Sequence, residues 1–547
     1  MKQIPWWQGA IIYQIYPRSF MDGNNDGIGD LNGIINKFDY IDKLGVDAVW
    51  ISPFFKSPMN DFGYDISDYR DVDPIFGRLS DFEQLIARAA QSNIKIIIDQ
   101  VLSHTSDQHA WFVESRKDKT NDKADWYVWA DAKPDGTAPN NWMSIFGGTA
   151  WQWEPRRGQY YLHNFLTSQP DLNFHNEEVR RAVLDNVKFW LDKGVGGFRL
   201  DAINFCFHDK ELKDNPAKPA AERAGRGFSE DNPYAYQYHY YNNTQPENLA
   251  FMEELRQLFD QYDDVVSLGE VSSEDSLKDM ALYTQGNKRL NMAYSFELLT
   301  DDFSAQYIKD TINSLEQQMT DGWPCWAISN HDVQRVMTRW GGDNAPVQLA
   351  KMLTAMLGSL RGSVCTYQGE ELGLTESDIS FDELQDPFGK TFWPQFKGRD
   401  GCRTPMPWTK EHEHGGFSRS QPWLPVSTQH RQIAVDQQEQ DPDSVLNSFR
   451  AFMTWRKSYP ALVHGNIEFI DTSDNTLVFT RTATVAGKAQ TVLALFNFNN
   501  HAITSQRFGE VVAYLDASPF LLNAQALDTQ APHIDVPAFS GYYALLK

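Results

Sequence analysis

Short runs of apolar and β-branched residues recur along the chain, and each ends in polar or turn residues. They are AIIYQIYP (10–17), DAVWISP (47–53), IKIIIDQV (94–101), GGFRLDA (196–202), VVSLGEV (265–271), MAYSFEL (292–298), CWAISNHD (325–332) and GSVCTYQGEEL (362–372). The runs are continuous, not alternating, which suits strands buried on both faces, as in a parallel sheet covered by helices. Between them the pattern changes to amphipathic helical spacing. RLSDFEQLIARAAQSN (78–93) predicts a helix capped at Ser80, and EEVRRAVLDNVKFWLDKG (177–194) has acids in its first turn and Gly194 at its end. NLAFMEELRQLFDQY (248–262) and APVQLAKMLTAMLGSL (345–360) behave likewise. Eight such strands alternating with helices predict an α/β fold, a (β/α)8 TIM barrel.

Two connections are too long for a compact barrel. About seventy residues separate the third strand from the helix at 177, and about forty-five follow the fourth, beyond the usual length of structureless loops. The first is rich in Trp, Tyr and Phe (WYVWADAKPDG, NNWMSIFGG, WQWEPRRGQYYLHNF), enough to bury a small core of its own over the barrel mouth. After about 460 the pattern turns to short alternating runs such as NTLVFTRTA and AQTVLALFNFNN, which predict a small antiparallel β domain. The expected organisation is a barrel over 1–104 and 171–460, an inserted subdomain over 105–170, and a C-terminal β-sandwich-like domain over 461–547.

Composition narrows the function classes. With 41% hydrophobic and 13% aromatic residues the chain is a packed globular protein. Its net charge of −24 argues against a nucleic-acid partner and against an anionic membrane surface. No apolar run approaches the ~20 residues that span a bilayer, and the start reads as a first strand, not a signal peptide. Cys206, Cys325, Cys365 and Cys402 show no CxxC or Cys/His pairing, so neither a zinc site nor a disulfide framework is expected. A reducing cytoplasm fits.

In a barrel of this kind the chemistry sits at the C-terminal strand ends. Those ends carry His104, Arg199, Asp201, Glu270, His331 and Asp332. Any one alone is best read as a surface charge; six at equivalent ends are hard to explain that way. Paired carboxylates beside an Arg suit glycoside hydrolysis: one acid, kept ionised, attacks the anomeric carbon, and another, in a less polar pocket, keeps a proton for the leaving oxygen. A third can hold sugar hydroxyls, and the aromatic insert offers stacking surfaces. Which acid plays which part is not fixed by these positions.

A second pattern lies in MDGNNDGIGDLNG (21–33), where Asp22, Asn24, Asp26 and Asp30 place oxygen side chains among glycines. That is the pattern of a hard-cation loop, or of an Asx turn without metal. An EF-hand sensor is excluded, because its twelfth position, the bidentate Glu, is Gly33 here.

The chain resembles the α-amylase superfamily (glycoside hydrolase family 13), and within it the bacterial α-glucosidase and oligo-1,6-glucosidase branch. The resemblance rests on YQIYPRSF, DGIGDLNGI, GYDISDY, DQVLSHTSDQHAWF, QPDLN, GGFRLDAI, GEV, ISNHD, YQGEELG and GRDGCRTPMPW, in that order over nearly the whole chain. It implies Asp201 as nucleophile, Glu270 as general acid/base and Asp332 as the acid that stabilises the transition state, with retention of configuration. It implies Asp61, Tyr64, His104, Phe165, Arg199, His331 and Arg399 around the terminal glucose, together with Phe146 and Phe296. It also implies one structural divalent cation, Ca²⁺ or Mg²⁺, on Asp22, Asn24, Asp26, Asp30 and the Ile28 carbonyl. Where many α-amylases carry an Asn that helps bind a second calcium, this chain has Ser103, so one ion is expected, and no organic cofactor.

A catalytically dead relative or a sugar-binding module is disfavoured by the three intact acids. The rivals are enzymes on the same triad: oligo-1,6-glucosidases, sucrose isomerases, trehalose synthases and glucosyltransferases. In the resembling branch Ala at position 202, directly after the nucleophile, goes with α-1,4 substrates, and the segment 210–243 resembles a lid that favours short ones. The expectation is an exo-acting α-glucosidase that takes small α-1,4-glucosides such as maltose and also transfers glucose. A monomer or homodimer is expected, without nucleic-acid or membrane partners.

Overall fold

The computed structural model describes residues 4–223, 231–472 and 474–547, so residues 224–230 of the expected lid lie outside the described residues. Eight parallel strands form one sheet: β1 (Ile11–Ile15), β2 (Ala48–Ile51), β3 (Lys95–Val101), β4 (Gly197–Asp201), β5 (Val266–Val271), β6 (Met292–Ser295), β7 (Cys325–Trp326) and β8 (Ser363–Tyr367). Pairing runs from β1 through β6 in chain order, and β1 also pairs with β8, which pairs with β7. A parallel bridge between Ala293 and Pro324 closes the ring. Each of the eight apolar runs supplies one strand.

The strand pleat sorts these residues into two layers, because successive side chains point to opposite faces. Ile11, Tyr13, Ile96, Ile98, Phe198 and Leu200 join the large core between strands and helices. Ile12, Trp50, Ile97, Val266, Leu268, Met292 and Cys325 fill the barrel lumen. Continuing the lumen parity toward the C-terminal strand ends reaches Gln14, Asp99, Arg199, Asp201, Glu270 and Tyr294. An apolar plug therefore lies beneath a polar floor.

The helices start where their caps dictate. Asn176 opens Glu177–Asp192 by accepting the Glu178 N–H at 2.9 Å. The helix predicted over 78–93 spans Leu79–Gln91, but its cap is not Ser80: Ser80 lies inside the first turn, Arg78 is the N-cap, and Asp81 accepts the Arg78 N–H at 2.8 Å. Asp is as good a first-turn acceptor as Ser, and it sits at the position from which the side chain reaches back.

The aromatic stretch after β3 forms a three-stranded antiparallel sheet from Trp129–Ala130, Trp151–Glu154 and Gln159–Leu162. Val128, Trp142, Trp151 and Leu162 bury a core separate from that of the barrel. The segment after β4 lies against it, with Trp142 Nε1 donating to the Lys213 carbonyl at 2.8 Å. At the C-terminus, Asn466–Ile470, Thr476–Val485, Lys488–Asn497, Gly541–Leu546 and Val511–Leu515 form a five-stranded antiparallel sheet. Among the described residues, no helix is long and apolar enough to cross a membrane.

Candidate active site

The floor of the barrel mouth is organised by one buried guanidinium. Arg199 is fully buried, with Nη1 2.6 Å from Asp201 and Nη2 2.5 Å from Glu270. Nη1 also donates to both oxygens of Asp99, at 2.9 and 3.1 Å. The Tyr294 hydroxyl accepts from Arg199 Nη2 at 2.9 Å and donates to Glu270 Oε1 at 3.1 Å. Three carboxylates thus share one cation, which offsets the cost of burying them only in part.

The shortfall shows in their proton affinities. Burial pushes both Asp201 and Glu270 up to about 7; Arg199 pulls each down, and neighbouring acids push back. Near neutral pH the pair therefore holds about one proton between its two carboxyls. Asp99 is raised to about 6, again by burial first. Asp332 goes the other way. Burial opposes its ionisation, but the guanidiniums of Arg399 and Arg403 hold it well below the usual carboxylate range.

Arg399 ties the other wall together. Nη1 lies 3.1 Å from Asp332, and Nη2 lies 2.9 Å from Asp61 and 2.8 Å from Asp386. Arg403 adds a 2.9 Å contact to Asp332 and donates from Nε to the His331 carbonyl at 2.7 Å. Burial keeps His331 neutral. Its Nδ1 accepts from the Gln14 amide at 2.8 Å, so Nε2 carries the proton and faces the Tyr64 hydroxyl at 2.6 Å. Tyr64 passes its own hydrogen to Asp99 at 3.0 Å. Both walls are therefore joined by a continuous polar chain.

Above this floor opens a pocket lined by Asp61, Tyr64, His104, Phe146, Phe165, Asp201, Ala202, Glu270, Phe296, Asp332 and Arg399. Arg199 and His331 lie beneath it, fully buried. All the sugar-site residues read from the sequence are thus gathered in one place. Phe165 packs 5.0 Å from the His104 ring, and the Arg399 guanidinium sits 5.4 Å over Phe146. Both phenylalanines come from the aromatic insert, which forms one wall of the mouth.

Residues 14–465 match the model of the alpha-amylase catalytic domain. The chain belongs to the alpha-amylase family. A probable alpha-glucosidase of Rhizobium meliloti (strain 1021) is 51% identical over 99% of this chain and 97% of its own length. An oligo-1,6-glucosidase of Parageobacillus thermoglucosidasius is 38% identical over 90% of each. Among solved structures, the alpha-glucosyl transfer enzyme XgtA superposes with a TM-score of 0.96 at 61% identity over 100% of both chains. The trehalulose synthase MutB does so with 0.88 at 31% identity, over 99% of this chain and 100% of that one. This alpha-amylase family member is a glycoside hydrolase of the glucosidase type.

In this alpha-amylase family member Gln169 also lines the pocket, and four buried residues brace its lining, beyond what the sequence reading named. Asp99 was absent from that reading, although it is the one acid inside the apolar run IKIIIDQV and has the lumen parity. Tyr294, Gln169, Asp386 and Arg403 were also missed; the last two come from the long segment after β8, where no periodicity points inward. Gln169 donates to Asp61 Oδ2 at 3.2 Å. Glu270 does not sit in the less polar surroundings expected of a proton donor: it accepts from Arg199, Tyr294 and the Ala202 N–H. Strands β4 and β5 are neighbours in register, so their lumen-facing charges meet.

The loops behind the two acids are also bonded. Asn204 donates to the Ser272 carbonyl at 2.8 Å and accepts its N–H at 3.2 Å. Ala202 has φ +40° and ψ +47°, a left-handed conformation that is strained for any residue with a Cβ.

The loop 21–33 lies apart from the pocket-lining residues, packed on the segment 417–423. Asp22 accepts from the Asn25 N–H at 2.6 Å, the Gly27 N–H at 2.8 Å and the Ser418 hydroxyl at 2.5 Å. Asp30 caps the helix Leu31–Asn36, accepting the Gly33 N–H at 2.6 Å. Among the described residues no three His, Cys, Asp or Glu side chains are arranged to hold a metal. The chemistry of the set still suits a hard cation. Burial first, then the charges of Asp22 and Asp26, raise Asp30, so like charges crowd this turn.

Proposed function

We propose that the protein is a retaining, exo-acting α-glucosidase that removes glucose from the non-reducing end of short α-1,4-glucosides such as maltose and passes part of it to sugar acceptors. The observation that carries this reading is the single guanidinium holding Asp201 and Glu270 side by side, in a pocket that Asp61 and Arg399 also line as an ion pair. Closely held carboxyls suit retention; an inverting pair needs room for a water between them. The relatives and solved neighbours act on or transfer small glucosides, which supports a small-molecule carbohydrate substrate.

In the first step Glu270 gives its proton to the glycosidic oxygen as the C1–O bond breaks, and an Asp201 oxygen bonds to C1 from the opposite face. In the second, Glu270 takes a proton from water or an acceptor hydroxyl; that oxygen bonds to C1, and Asp201 leaves as the carboxylate. The pair starts each cycle with its one proton on Glu270. Asp332, anionic throughout, accepts hydrogen bonds from ring hydroxyls and favours the positively charged, flattened ring. Neutral His104, with Asp61 and Arg399, holds the remaining hydroxyls, and neutral His331 beneath them fixes the Tyr64 hydroxyl. Incubation with sucrose separates this reading from the isomerase one: glucose and glucosyl oligomers are expected, and isomeric disaccharides of glucose and fructose would favour the rival.

Linkage choice turns on Ala202, whose side chain lines the pocket beside Glu270. The wild type prefers maltose to isomaltose, and Ala202→Val moves the ratio toward isomaltose. Steric differences of this size discriminate by ~1–3 kcal/mol, or roughly ten- to two-hundred-fold. A β-branched side chain is further strained at this left-handed position, so the variant also loses thermal stability. That strain acts on both substrates alike and cancels in the ratio of the two kcat/KM values. An isomaltose-preferring wild type would overturn the linkage assignment alone.

A single divalent cation at the 21–33 loop is part of the proposal, with Asp22, Asn24, Asp26, Asp30 and the Ile28 carbonyl as the residues that would hold it. It would neutralise the crowded acids and take no part in bond cleavage. Chelation, or Asp26→Ala, should lower the melting temperature more than it changes turnover at low temperature. Elemental analysis showing no bound divalent metal in the purified protein would refute it.

A further inference from the structure

Four residues beyond Glu270, on the same loop, Glu274 grips both arms of the hairpin that follows β4. Its Oε2 lies 2.8 Å from Lys218 Nζ, on the first arm, and its Oε1 accepts the His239 N–H at 3.0 Å, on the second. The arms are themselves paired: Ala217 bridges Gln237, and Lys218 N–H and Tyr238 N–H donate across at 2.8 Å. Both ionic partners are largely buried, with 15% and 19% of their side chains exposed, so the pair is not an ordinary surface one.

The latch borders a second cavity. That cavity is lined by Lys218, Glu274, Tyr238 and Tyr240, and it shares Ser272 and Phe296 with the catalytic pocket. It therefore adjoins the catalytic pocket on the side of Glu270 and Ala202. Tyr238 and Tyr240 stack in parallel, 5.2 Å apart, and Tyr240 is half exposed. Aromatic faces interspersed with carboxylate and ammonium groups suit a neutral ring that carries hydroxyls, such as the leaving or accepting sugar.

We propose that Glu274 is a positioning residue for the acceptor: by stapling the hairpin to the acid/base loop it shapes the space in which a sugar, and not water, meets the glucosyl-enzyme. This rests on the retaining α-glucosidase reading. With the latch intact, a hydroxyl of the acceptor sugar loses its proton to Glu270 while its oxygen bonds to C1 and the C1–Asp201 bond breaks. With the latch broken, water takes that place, and its proton goes to Glu270 in the same way.

The test compares wild type, Glu274→Ala, Glu274→Gln and Lys218→Ala on two donors. α-Glucosyl fluoride has a leaving group too small to use the acceptor side, whereas maltose fills it. In Glu274→Ala the ratio of transfer to hydrolysis from maltose should fall roughly five- to tenfold, within the range of one ordinary hydrogen bond because the latch acts on the acceptor indirectly, and KM for maltose should rise. Fluoride release should stay within about twofold of wild type. Glu274→Gln, which keeps an acceptor for the His239 N–H, should lie between, and Lys218→Ala should follow Glu274→Ala. An unchanged transfer ratio in folded Glu274→Ala and Lys218→Ala overturns the proposal, as does an equal loss on both donors. A wild type that does not act on α-glucosyl fluoride overturns the glucosidase reading instead.

Discussion

Asp201→Asn lowers turnover by at least about 10³-fold, because neither step can occur without a carboxylate that attacks C1 in the first and leaves in the second. The fold survives this change for a reason visible at the floor of the pocket. Arg199 holds three carboxylates, and converting one to a neutral amide of the same shape leaves Asp99 and Glu270 to balance it. The amide oxygen can still accept from Nη1. One buried like-charge repulsion also disappears, so the melting temperature should stay close to that of the wild type. The check is kcat on an aryl α-glucoside beside a thermal melt on the same sample. Substantial residual turnover in pure, folded Asp201→Asn would remove the nucleophile assignment.

Glu270→Gln produces the second large effect, and its pattern matters more than its size. Without a proton to give, poor leaving groups suffer most, by roughly 10²–10⁴-fold, whereas aryl glucosides with good leaving groups still load the enzyme. Added azide, which needs no general base, should then restore turnover and yield the α-glucosyl azide. The pH profile provides a further sign. Wild-type kcat/KM should be bell-shaped about neutrality, since the pair works only with one proton between its two carboxyls, both raised to about 7. Below the first step Asp201 is protonated and cannot attack; above the second, Glu270 has lost the proton it must donate. Glu270→Gln should therefore keep the acid limb and lose the alkaline one. Equal loss on all substrates, with no azide rescue, would contradict this role.

The barrel was legible because its strands are continuous apolar runs and its lumen obeys a period of two. The same period carries Arg199, Asp201 and Glu270 to one face, so the centre of the site could be read from strand ends alone. Asp99 obeys it too, but it sits mid-run, away from a strand end, and so escaped notice. The wall formed by Asp386, Arg399 and Arg403 was legible only at Arg399, through the resemblance. These residues come from a long connection whose two arginines are held inward by ion pairs with Asp61 and Asp332, partners hundreds of residues earlier or scores of residues away, and Asp386 by its pair with Arg399. Ser80 suits a cap by residue type, yet it lies inside the first turn, and it is Asp81 that reaches back to the Arg78 N–H. The latch at Glu274 has no local signal at all: its partners include a lysine and a backbone N–H on a hairpin that only the fold brings near.

The central claim is retention through Asp201 and Glu270, and the anomeric configuration of the first-formed glucose tests it most directly. Proton NMR during the first minutes of aryl α-glucoside hydrolysis, before mutarotation equilibrates the sugar, reads that configuration without any variant. The α-anomer signal should appear first, with the β-anomer growing in afterwards at the rate of mutarotation. If β-glucose appears first, the two carboxyls act by inversion, and the double-displacement mechanism assigned to this site is wrong.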